Sequence, residues 1–435
     1  MGNNRKTAFL TLMDVESKKS YSNIALNHQI KRNRPDNPAF VRELTYGVLE
    51  NKILLDYIID QFVPSGADRL KPQDLNVLRM GIYQLGYMDS VPEYAAVNES
   101  VNLAKKFCKG RDAFINGVLR TYIRNKYTIT LPDRGEDEVR YLSVKYSYEP
   151  WIIELWMREY EMNFVEQLLQ AGNETPDTAI RLNWMKVMKK DLMEQLKNKG
   201  FDVWEGKLSP NALYIKGTQL LDSQMYKMGM FSVQDESSQL ATIMLDPKHD
   251  DFVMDVCAAP GGKTMAIAER MNNTGTVLAS DVYTRKVGII DQEARRLGLK
   301  NVKTRTWDAT KTDTMLVGKA DKVIVDAPCT GLGVVRRKPE IKFKKWTSEM
   351  DSLPRKQLEI LSASSRYVKM GGTLLYCTCT INPDENQKVV AEFLRKNRDF
   401  VKEEMVQLYP HIDGTDGFFI CKMVRSTGIV GNTEY

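Results

Sequence analysis

The sequence predicts three successive domains: an all-α N-terminal domain, a small α+β middle domain and a C-terminal α/β domain with a doubly wound parallel sheet. Three patterns predict them. Apolar residues recur at helical spacing as far as residue 128, short strands and helices mix over 139–222, and strand, turn and helix alternate over 226–427. A chain of 435 residues is long enough for about three domains of typical size.

The predicted N-terminal domain, residues 1–128, contains six helical segments. In the fourth, Leu75, Leu78 and Ile82 share one side, as expected for a helix that packs against a core. The six segments cover residues 7–15, 40–49, 53–62, 74–85, 95–107 and 114–122. A charged stretch with a proline and a glycine, residues 124–138, is interpreted as a linker.

The predicted middle domain, residues 139–222, opens with a helix at Pro150, because the fixed φ of proline suits a first helical turn. Its other segments are a strand at 179–183, a helix near 192–196, and strands at 201–204 and 213–215.

The predicted C-terminal domain, residues 226–427, has the alternation that is typical of a parallel sheet with helices on both faces. The predicted strands are 252–256, 276–280, 302–306, 322–325 and 373–376, with helices at 264–271, 286–297 and 355–368. A last pair of segments, 386–394 and 417–423, closes the domain.

Composition excludes several classes of protein. Six cysteines are too few for the disulfide framework of a secreted protein of this length, so we expect a cytoplasmic protein. No run reaches the roughly 18 apolar residues of a membrane-spanning helix, and we expect no membrane partner. A net charge of +6 permits a nucleic-acid partner but does not require one.

A glycine-containing loop follows the first strand of the C-terminal domain. Gly261 and Gly262 allow a tight turn and a close approach to a ligand, and the next helix presents free N–H groups. Ligands of open α/β sheets bind at the carboxyl ends of the strands, where this loop lies. The candidate ligand-binding residues of the loop are Cys257, Ala258, Ala259, Pro260, Gly261, Gly262 and Lys263.

Two ligand classes compete for this loop. The end of the loop, residues 262–264, matches a nucleoside-triphosphate loop, but Cys257 stands where that motif requires its first glycine. A ligand with a ribose is favoured instead, because Asp281 ends the second strand 19 residues after Gly262, close to the expected spacing of about 20. Asp308 and Asp326 end the next two strands. A single acid at such a position is better explained as a helix cap, but three acids together with the glycine loop favour one ligand cleft.

Three cysteines follow the fourth and fifth predicted strands of the C-terminal domain. Cys329 comes after Pro328, and Cys377 and Cys379 follow the fifth strand. A thiolate on such a loop is a nucleophile. A free cysteine is more often a small buried apolar residue, which is the alternative for Cys257 and Cys377. With three histidines in the chain and no second cysteine pair, we predict no metal site.

A basic segment follows Cys329. Its cations are interleaved with Phe343 and Trp346, a pattern that suits phosphates and stacked bases of single-stranded RNA. The alternative is a solvated helix face. The candidate RNA-binding residues are Arg336, Arg337, Lys338, Lys342, Lys344 and Lys345.

These motifs resemble a known family. Residues 255–264, 326–329 and 378–379 are similar to the motifs of S-adenosylmethionine-dependent RNA cytosine-5 methyltransferases, as are residues 232–240 and 334–342. The N-terminal domain resembles the RNA-binding NusB fold. This combination is similar to the RsmB (Sun) family of bacterial 16S ribosomal RNA cytosine-5 methyltransferases.

The resemblance implies a Rossmann-like catalytic domain that binds S-adenosylmethionine through the glycine loop, Asp281, Asp308 and Asp326. It implies that Cys379 attacks cytosine C6, that Cys329 assists release and that Asp326 contacts the base. The expected partner is small-subunit ribosomal RNA or its precursor particle, with no DNA, and the expected state is a monomer. Methylation of another RNA such as tRNA, and an inactive RNA-binding module, remain alternatives.

Overall fold

The computed structural model describes residues 3–18, 20–217 and 220–426, so the predicted domain ends at residues 1 and 427 lie outside the described residues. These residues form two compact units. The first unit contains residues up to 174 together with 335–346, and the second contains 175–334 and the residues from 347 onward. The boundary between the units falls after residue 174, within the predicted middle domain. The helix that begins at Pro150 belongs to the first unit, and the predicted strands and the helix near 192–196 belong to the second.

The first unit is helical in the residues that the structure describes, as predicted. Its core contains Leu44, Leu78 and Leu119, none of which is exposed. The helices are α1 (Asn3–Lys18), α2 (Ser22–Asn33), α3 (Pro38–Glu50), α4 (Lys52–Asp60), α5 (Pro72–Tyr87), α6 (Glu93–Phe107), α7 (Asp112–Asn125), α8 (Glu138–Tyr146), α9 (Pro150–Met157) and α10 (Met162–Ala171). The sequence did not predict α2, because the buried face of that mostly polar helix includes only two apolar residues, Ala25 and Leu26.

The second unit begins with a small antiparallel sheet in the order β2-β3-β1-β4. Leu192 and Leu196 of the helix α11 pack with Ile180 and Phe231 of the sheet in one apolar core. The elements are β1 (Thr178–Leu182), α11 (Lys189–Asn198), β2 (Asp202–Glu205), β3 (Ala212–Lys216), α12 (Gln224–Lys227) and β4 (Phe231–Val233).

A seven-stranded sheet forms the rest of the second unit, in the order β10-β11-β9-β8-β5-β6-β7. The strands are β5 (Phe252–Asp255), β6 (Thr276–Asp281), β7 (Val302–Thr306), β8 (Ala320–Asp326), β9 (Val368–Thr378), β10 (Phe400–Leu408) and β11 (Phe418–Arg425). The helices are α13 (Glu236–Leu245), α14 (Gly262–Arg270), α15 (Thr284–Leu297), α16 (Ser348–Ser365), α17 (Gln387–Lys396) and α18 (Pro410–Asp413).

The predicted parallel sheet has antiparallel strands at one edge. Strands β5 to β9 pair in parallel, but β11 is antiparallel to both β9 and β10. The sequence did not predict β10, since this edge strand carries charged and exposed residues such as Glu403 and Glu404 in its middle. Among the described helices, none is long and apolar enough to cross a membrane.

The topology places the candidate site at the carboxyl edge of the parallel strands. The strand order reverses at β5, which lies between β6 and β8, and ligands of open α/β sheets bind at such a switch point. In the pairing of β8 with β9, Asp326 lies opposite Cys377. The loops that carry Cys329 and Cys379 therefore leave neighbouring strands at the same edge of the sheet.

Candidate active site

The glycine loop joins β5 to α14 as a firmly held turn. Gly261 has a φ of +108°, a backbone conformation that favours glycine, and α14 begins at the next residue. The N–H of Ala258 donates to the carbonyl of Ser280 at 2.9 Å, which ties the loop to β6. The first turn of α14 thus presents its N–H groups at the edge where the strands end.

A buried carboxylate lies under this loop. The hydroxyl of Thr264 donates to Oδ2 of Asp255 at 2.6 Å, and Asp255 is almost fully buried. Burial raises the pKa of Asp255 to about 7. This pair joins the end of β5 to the first turn of α14 from within the core.

Arg181 of β1 also braces the loop, and sequence analysis assigned it no role. Its guanidinium donates to both carboxylate oxygens of Glu269 at 2.9 Å and to the carbonyl of Gly262 at 3.0 Å. Arg181 and Glu269 are both buried, and a bidentate ion pair of this kind fixes the orientation of the two side chains as well as the distance between them. The available signal was an arginine within a strand of otherwise buried residues, which requires a buried acid nearby.

Asp281 is the last residue of β6, and Asp308 follows β7 by two residues, so both lie at the strand ends where they were predicted. Oδ1 of Asp281 accepts from the N–H of Tyr283 at 3.0 Å. Oδ1 of Asp308 accepts from the N–H of Thr310 at 3.1 Å and from its hydroxyl at 2.7 Å, and these hydrogen bonds lower the pKa of Asp308. Hydrogen bonds to the following backbone therefore hold both carboxylates at the strand ends.

Lys263 forms an ion pair with Asp326. The Nζ of Lys263 lies 2.7 Å from Oδ2 of Asp326 and 4.9 Å from the centre of the Phe418 ring. Burial opposes the charge of Lys263, but the carboxylate of Asp326 outweighs it and raises the pKa of Lys263 above its ordinary value. The carboxylate at the end of β8 is thereby paired with a proton-bearing amine.

The structure brings Cys329 and Cys379 together. Their sulfur atoms are 3.4 Å apart, and both side chains are partly exposed. The hydrogen bond with Cys379, together with burial, raises the pKa of Cys329 well above its ordinary value. Two thiols from separate loops therefore face one another at the edge of the sheet.

Cys377 is placed differently from its neighbour Cys379. It is fully buried within β9, and its Sγ donates to Oδ1 of Asp326 at 3.7 Å. Burial raises the pKa of Cys377 well above its ordinary value. Cys257 is partly exposed, and burial of its thiol raises the pKa of Cys257 as well. Over the described ranges, no group of three or more histidine, cysteine, aspartate or glutamate residues could hold a metal ion.

The basic segment belongs to the first unit, and the predicted RNA contact of Lys342 is wrong. Its Nζ donates to the carbonyl of Glu50 at 2.7 Å, to Oδ1 of Asn173 at 2.7 Å and to the carbonyl of Tyr146 at 3.3 Å, and the side chain is fully buried. A lysine whose three donors are satisfied inside a core cannot reach a phosphate. The sequence shows the charge of Lys342 but not its burial.

The other members of the segment are accessible to different degrees. Lys344 and Lys345 are exposed, whereas Arg336, Arg337 and Lys338 are partly exposed. The Nζ of Lys338 lies 5.0 Å from the centre of the Tyr21 ring. The role of these five residues in RNA binding stays a prediction.

The buried Lys342 predicts a pH dependence of stability. Burial lowers the pKa of Lys342 to about 7 from an ordinary value of 10.5, so the unfolded chain binds the extra proton between those values. The first unit should therefore gain stability as the pH rises from about 7 towards 10, and Lys342→Met should remove this gain. Thermal unfolding of both proteins across this range measures it. Burial raises the pKa of Glu50 to about 7 from 4.5. The change in stability that comes from the titration of Glu50 therefore occurs below the pH range of this measurement.

If wild type and Lys342→Met show the same change of unfolding temperature with pH, Lys342 is not the group that titrates.

Family descriptions match three consecutive parts of the chain. Residues 2–124 match the "NusB family", residues 148–221 match a "Methyltr_RsmF/B-like, ferredoxin-like domain", and residues 242–424 match "16S rRNA methyltransferase RsmB/F". The last match covers the seven-stranded sheet and every candidate thiol described above. These matches and the sheet define the class of protein, an S-adenosylmethionine-dependent methyltransferase.

Relatives extend the likeness to nearly the whole chain. The "Probable ribosomal RNA small subunit methyltransferase B" of Bacillus subtilis (strain 168) is 37% identical over 441 aligned residues, which cover 96% of this chain and 98% of the relative. A protein of the same description from Synechocystis sp. is 31% identical and covers 97% and 99%. The chain belongs to the RsmB/F family of methyltransferases, and the resemblance, the three-part fold class and the cofactor that the sequence predicted are confirmed.

Solved structures support the fold. A crystal structure of PH0851 is 26% identical and superposes with a TM-score of 0.84 over 97% of this chain and 99% of that one. A structure of NSun6 from Pyrococcus horikoshii with SFG is 22% identical, with a TM-score of 0.58 over 63% of this chain and 98% of that one.

The residues present fit S-adenosylmethionine. Gly261 supplies a left-handed turn with no side chain at the start of α14, and free helical N–H groups suit the carboxylate of the methionine part. The carboxylate that ends β6 suits a ribose diol, since carboxylate oxygens accept hydrogen bonds from hydroxyl groups.

Proposed function

We propose that this protein methylates C5 of a specific cytosine in 16S ribosomal RNA through a covalent bond between Cys379 and C6 of the base. The observation that carries the proposal is the pair of partly exposed thiols, 3.4 Å apart, at the carboxyl edge of a methyltransferase sheet. The names of the relatives, which specify the ribosomal RNA small subunit, support the substrate class.

The chemistry requires a nucleophile on the protein. C5 of cytosine does not take a methyl group unaided, but addition of the Cys379 thiolate to C6 makes C5 electron-rich. Bound S-adenosylmethionine supplies the methyl group. Negative charge develops at N3 during the addition, and N3 takes up a proton from water that returns to water on release. Asp326 accepts a hydrogen bond from this N3–H and stays paired with Lys263.

Release returns the protein to its starting state. Water takes the proton from C5, the electron pair of that C–H bond restores the C5–C6 double bond, and the pair of the C6–S bond returns to Cys379. The Cys329 thiol donates a hydrogen bond to the departing thiolate, which stabilises the leaving group. Because a base within a stacked helix cannot reach two thiols in a crevice, the target cytosine must be unstacked.

We assign the cofactor to the loop from Cys257 to Lys263, with Asp281 on the ribose and Asp308 near the adenine. Asp326 keeps both of its assignments, because its ion pair with Lys263 joins it to the cofactor loop and its contact with Cys377 joins it to the strand that precedes Cys379.

Removal of the Asp281 carboxylate, which is assigned to the ribose of the cofactor, tests this assignment. Asp281→Ala should weaken binding of S-adenosylmethionine by about 100-fold, because two hydrogen bonds to a carboxylate contribute roughly 1.5 kcal/mol each. Isothermal titration calorimetry measures the affinity. The control is Asp202→Ala, which removes an exposed carboxylate from the edge strand β2 and should leave the affinity unchanged. Wild-type affinity in Asp281→Ala protein would rule out the ribose contact.

The reaction itself is tested by mapping 5-methylcytosine. The purified protein is incubated with S-adenosylmethionine and, separately, with naked 16S ribosomal RNA, small ribosomal subunits and tRNA, and bisulfite sequencing follows. We expect one new protected cytosine in the 16S RNA or in the subunit. Protection in tRNA alone would show that tRNA, and not 16S ribosomal RNA, is the substrate. The absence of a protected cytosine in every RNA would contradict the proposed reaction.

A further inference from the structure

A second buried carboxylate, outside the residues that the sequence predicted, lies beneath the two cysteine loops. Glu385 is 1% exposed and belongs to the turn between β9 and α17. Its Oε2 accepts from the N–H of Thr330 and from Nε2 of Gln357, each at 2.9 Å. Its Oε1 accepts from Nδ2 of Asn382 at 2.9 Å and from the hydroxyl of Thr330.

These donors flank both reactive thiols. Thr330 is the residue after Cys329, and Gln357 also donates to the carbonyl of Pro328, the residue before it, at 2.9 Å. On the other loop, the hydroxyl of Thr380, next to Cys379, lies 2.8 Å from that of Thr330. Glu385 therefore connects the backbone on each side of Cys329 to the loop that carries Cys379.

The carboxylate is itself held in place. The hydroxyl of Tyr376 donates to the carbonyl of Glu385 at 2.7 Å. The neighbouring Asn386 accepts from the hydroxyl of Thr378 at 2.6 Å and donates to the carbonyl of Thr380 at 3.0 Å. The turn that carries Glu385 is thus fixed to the backbone on both sides of Cys379.

The hydrogen-bond pattern also defines the charge of this group. The four donors to Glu385 are two amide side chains, a backbone N–H and a hydroxyl, and a carboxyl group that accepts from all of them is ionised. These donors are neutral, so a negative charge stays in the core next to the Cys329 loop. The titratable groups that act on Cys329 are Cys379, Glu385 and Asp326, and both carboxylates disfavour its thiolate.

We propose that Glu385 is a positioning residue that holds Cys329 against Cys379 and keeps its sulfur in the thiol form. Under the proposed function, on which this role rests, that arrangement leaves Cys379 as the attacking thiolate. It also keeps on Cys329 the proton of the S–H group that donates a hydrogen bond to the departing sulfur. Glu385 contacts neither substrate nor cofactor and acts through the two loops.

Alkylation of individual thiols tests this without RNA or cofactor. The full-length protein is treated with iodoacetamide from about pH 6 to pH 10, and the modification of Cys329 and of Cys379 is followed by peptide mass spectrometry. In Glu385→Gln protein the pH midpoint for Cys329 should fall by about one unit, which raises its alkylation rate near pH 7.5 by about tenfold. A greater exposure of Cys329 would raise the rate at every pH and leave the midpoint in place.

The matched control is Glu236→Gln. Glu236 is equally buried and accepts hydrogen bonds from the N–H of Ser209 at 2.8 Å and the hydroxyl of Tyr214 at 3.0 Å, but neither partner lies in a cysteine loop. Its loss should leave the Cys329 midpoint unchanged. An unchanged midpoint in folded Glu385→Gln protein overturns the proposal.

A measurement on the wild-type protein keeps the proposal open to refutation if Glu385→Gln does not fold. Cys379 should be alkylated at a lower pH than Cys329, and the reverse order overturns the proposal. With RNA present, Glu385→Gln should also accumulate the covalent RNA adduct. Because alkylation needs no RNA, a failure of the proposed methylation and a failure of the role of Glu385 are distinguishable.

Discussion

Replacement of Cys379 by alanine should abolish methyl transfer. Without its sulfur no bond to C6 forms, and C5 of cytosine stays too poor in electrons to take a methyl group. Loss of a covalent nucleophile lowers rates by about 10⁴-fold or more. The initial rate of transfer of a radiolabelled methyl group into 16S ribosomal RNA measures the effect.

The neighbouring thiol supplies the matched control. Cys377 is two residues away on the same strand end but is fully buried, so Cys377→Ala should keep the rate within about tenfold of wild type. Wild-type methylation by Cys379→Ala protein would refute the assignment of the nucleophile. An equal loss in both variants would show that the assay responds to disturbance of the loop and not to the thiol.

Replacement of Cys329 by alanine should trap the enzyme on its RNA. Attack and methylation need only Cys379, whereas release needs a donor for the departing thiolate, and the Cys329 sulfur lies 3.4 Å from that of Cys379. We expect a covalent protein–RNA species that survives denaturation and migrates slowly in a denaturing gel. Turnover should fall to a single round per enzyme molecule.

The double variant Cys329→Ala/Cys379→Ala is the control, since it removes the sulfur that forms the bond and should give no adduct. Multiple turnover by Cys329→Ala protein, with no adduct, would remove Cys329 from the release step.

The sequence predicts the candidate site more completely than the sheet around it. Loops that follow parallel strands meet at one edge, so strand patterns alone place Asp281, Cys329 and Cys379 together. Apolar periodicity carries no information on strand direction, and for that reason the antiparallel direction of β11 was not predicted. The charged edge strand β10 lacks the alternation that reveals a strand.

The supporting contacts could not be predicted, because they join residues that are distant along the chain. Arg181 and Glu269 are 88 residues apart, and Thr330 and Glu385 are 55 apart. Nothing in the local sequence of either partner indicates the other. Lys342 illustrates the same limit. The three groups that accept hydrogen bonds from its Nζ lie at or just after the C-terminal ends of α3, α8 and α10, all distant from Lys342 along the chain.

The most direct test of the proposed mechanism identifies the atom that carries the RNA in Cys329→Ala protein. The trapped adduct is digested with nuclease and trypsin, and the peptide of residues 370–388, which contains both Cys377 and Cys379, is fragmented in a mass spectrometer. A methylated cytidine nucleotide on Cys379 is the expected result. A nucleotide on Cys377 or on any other residue, or an adduct without a cytosine, would contradict covalent catalysis by Cys379.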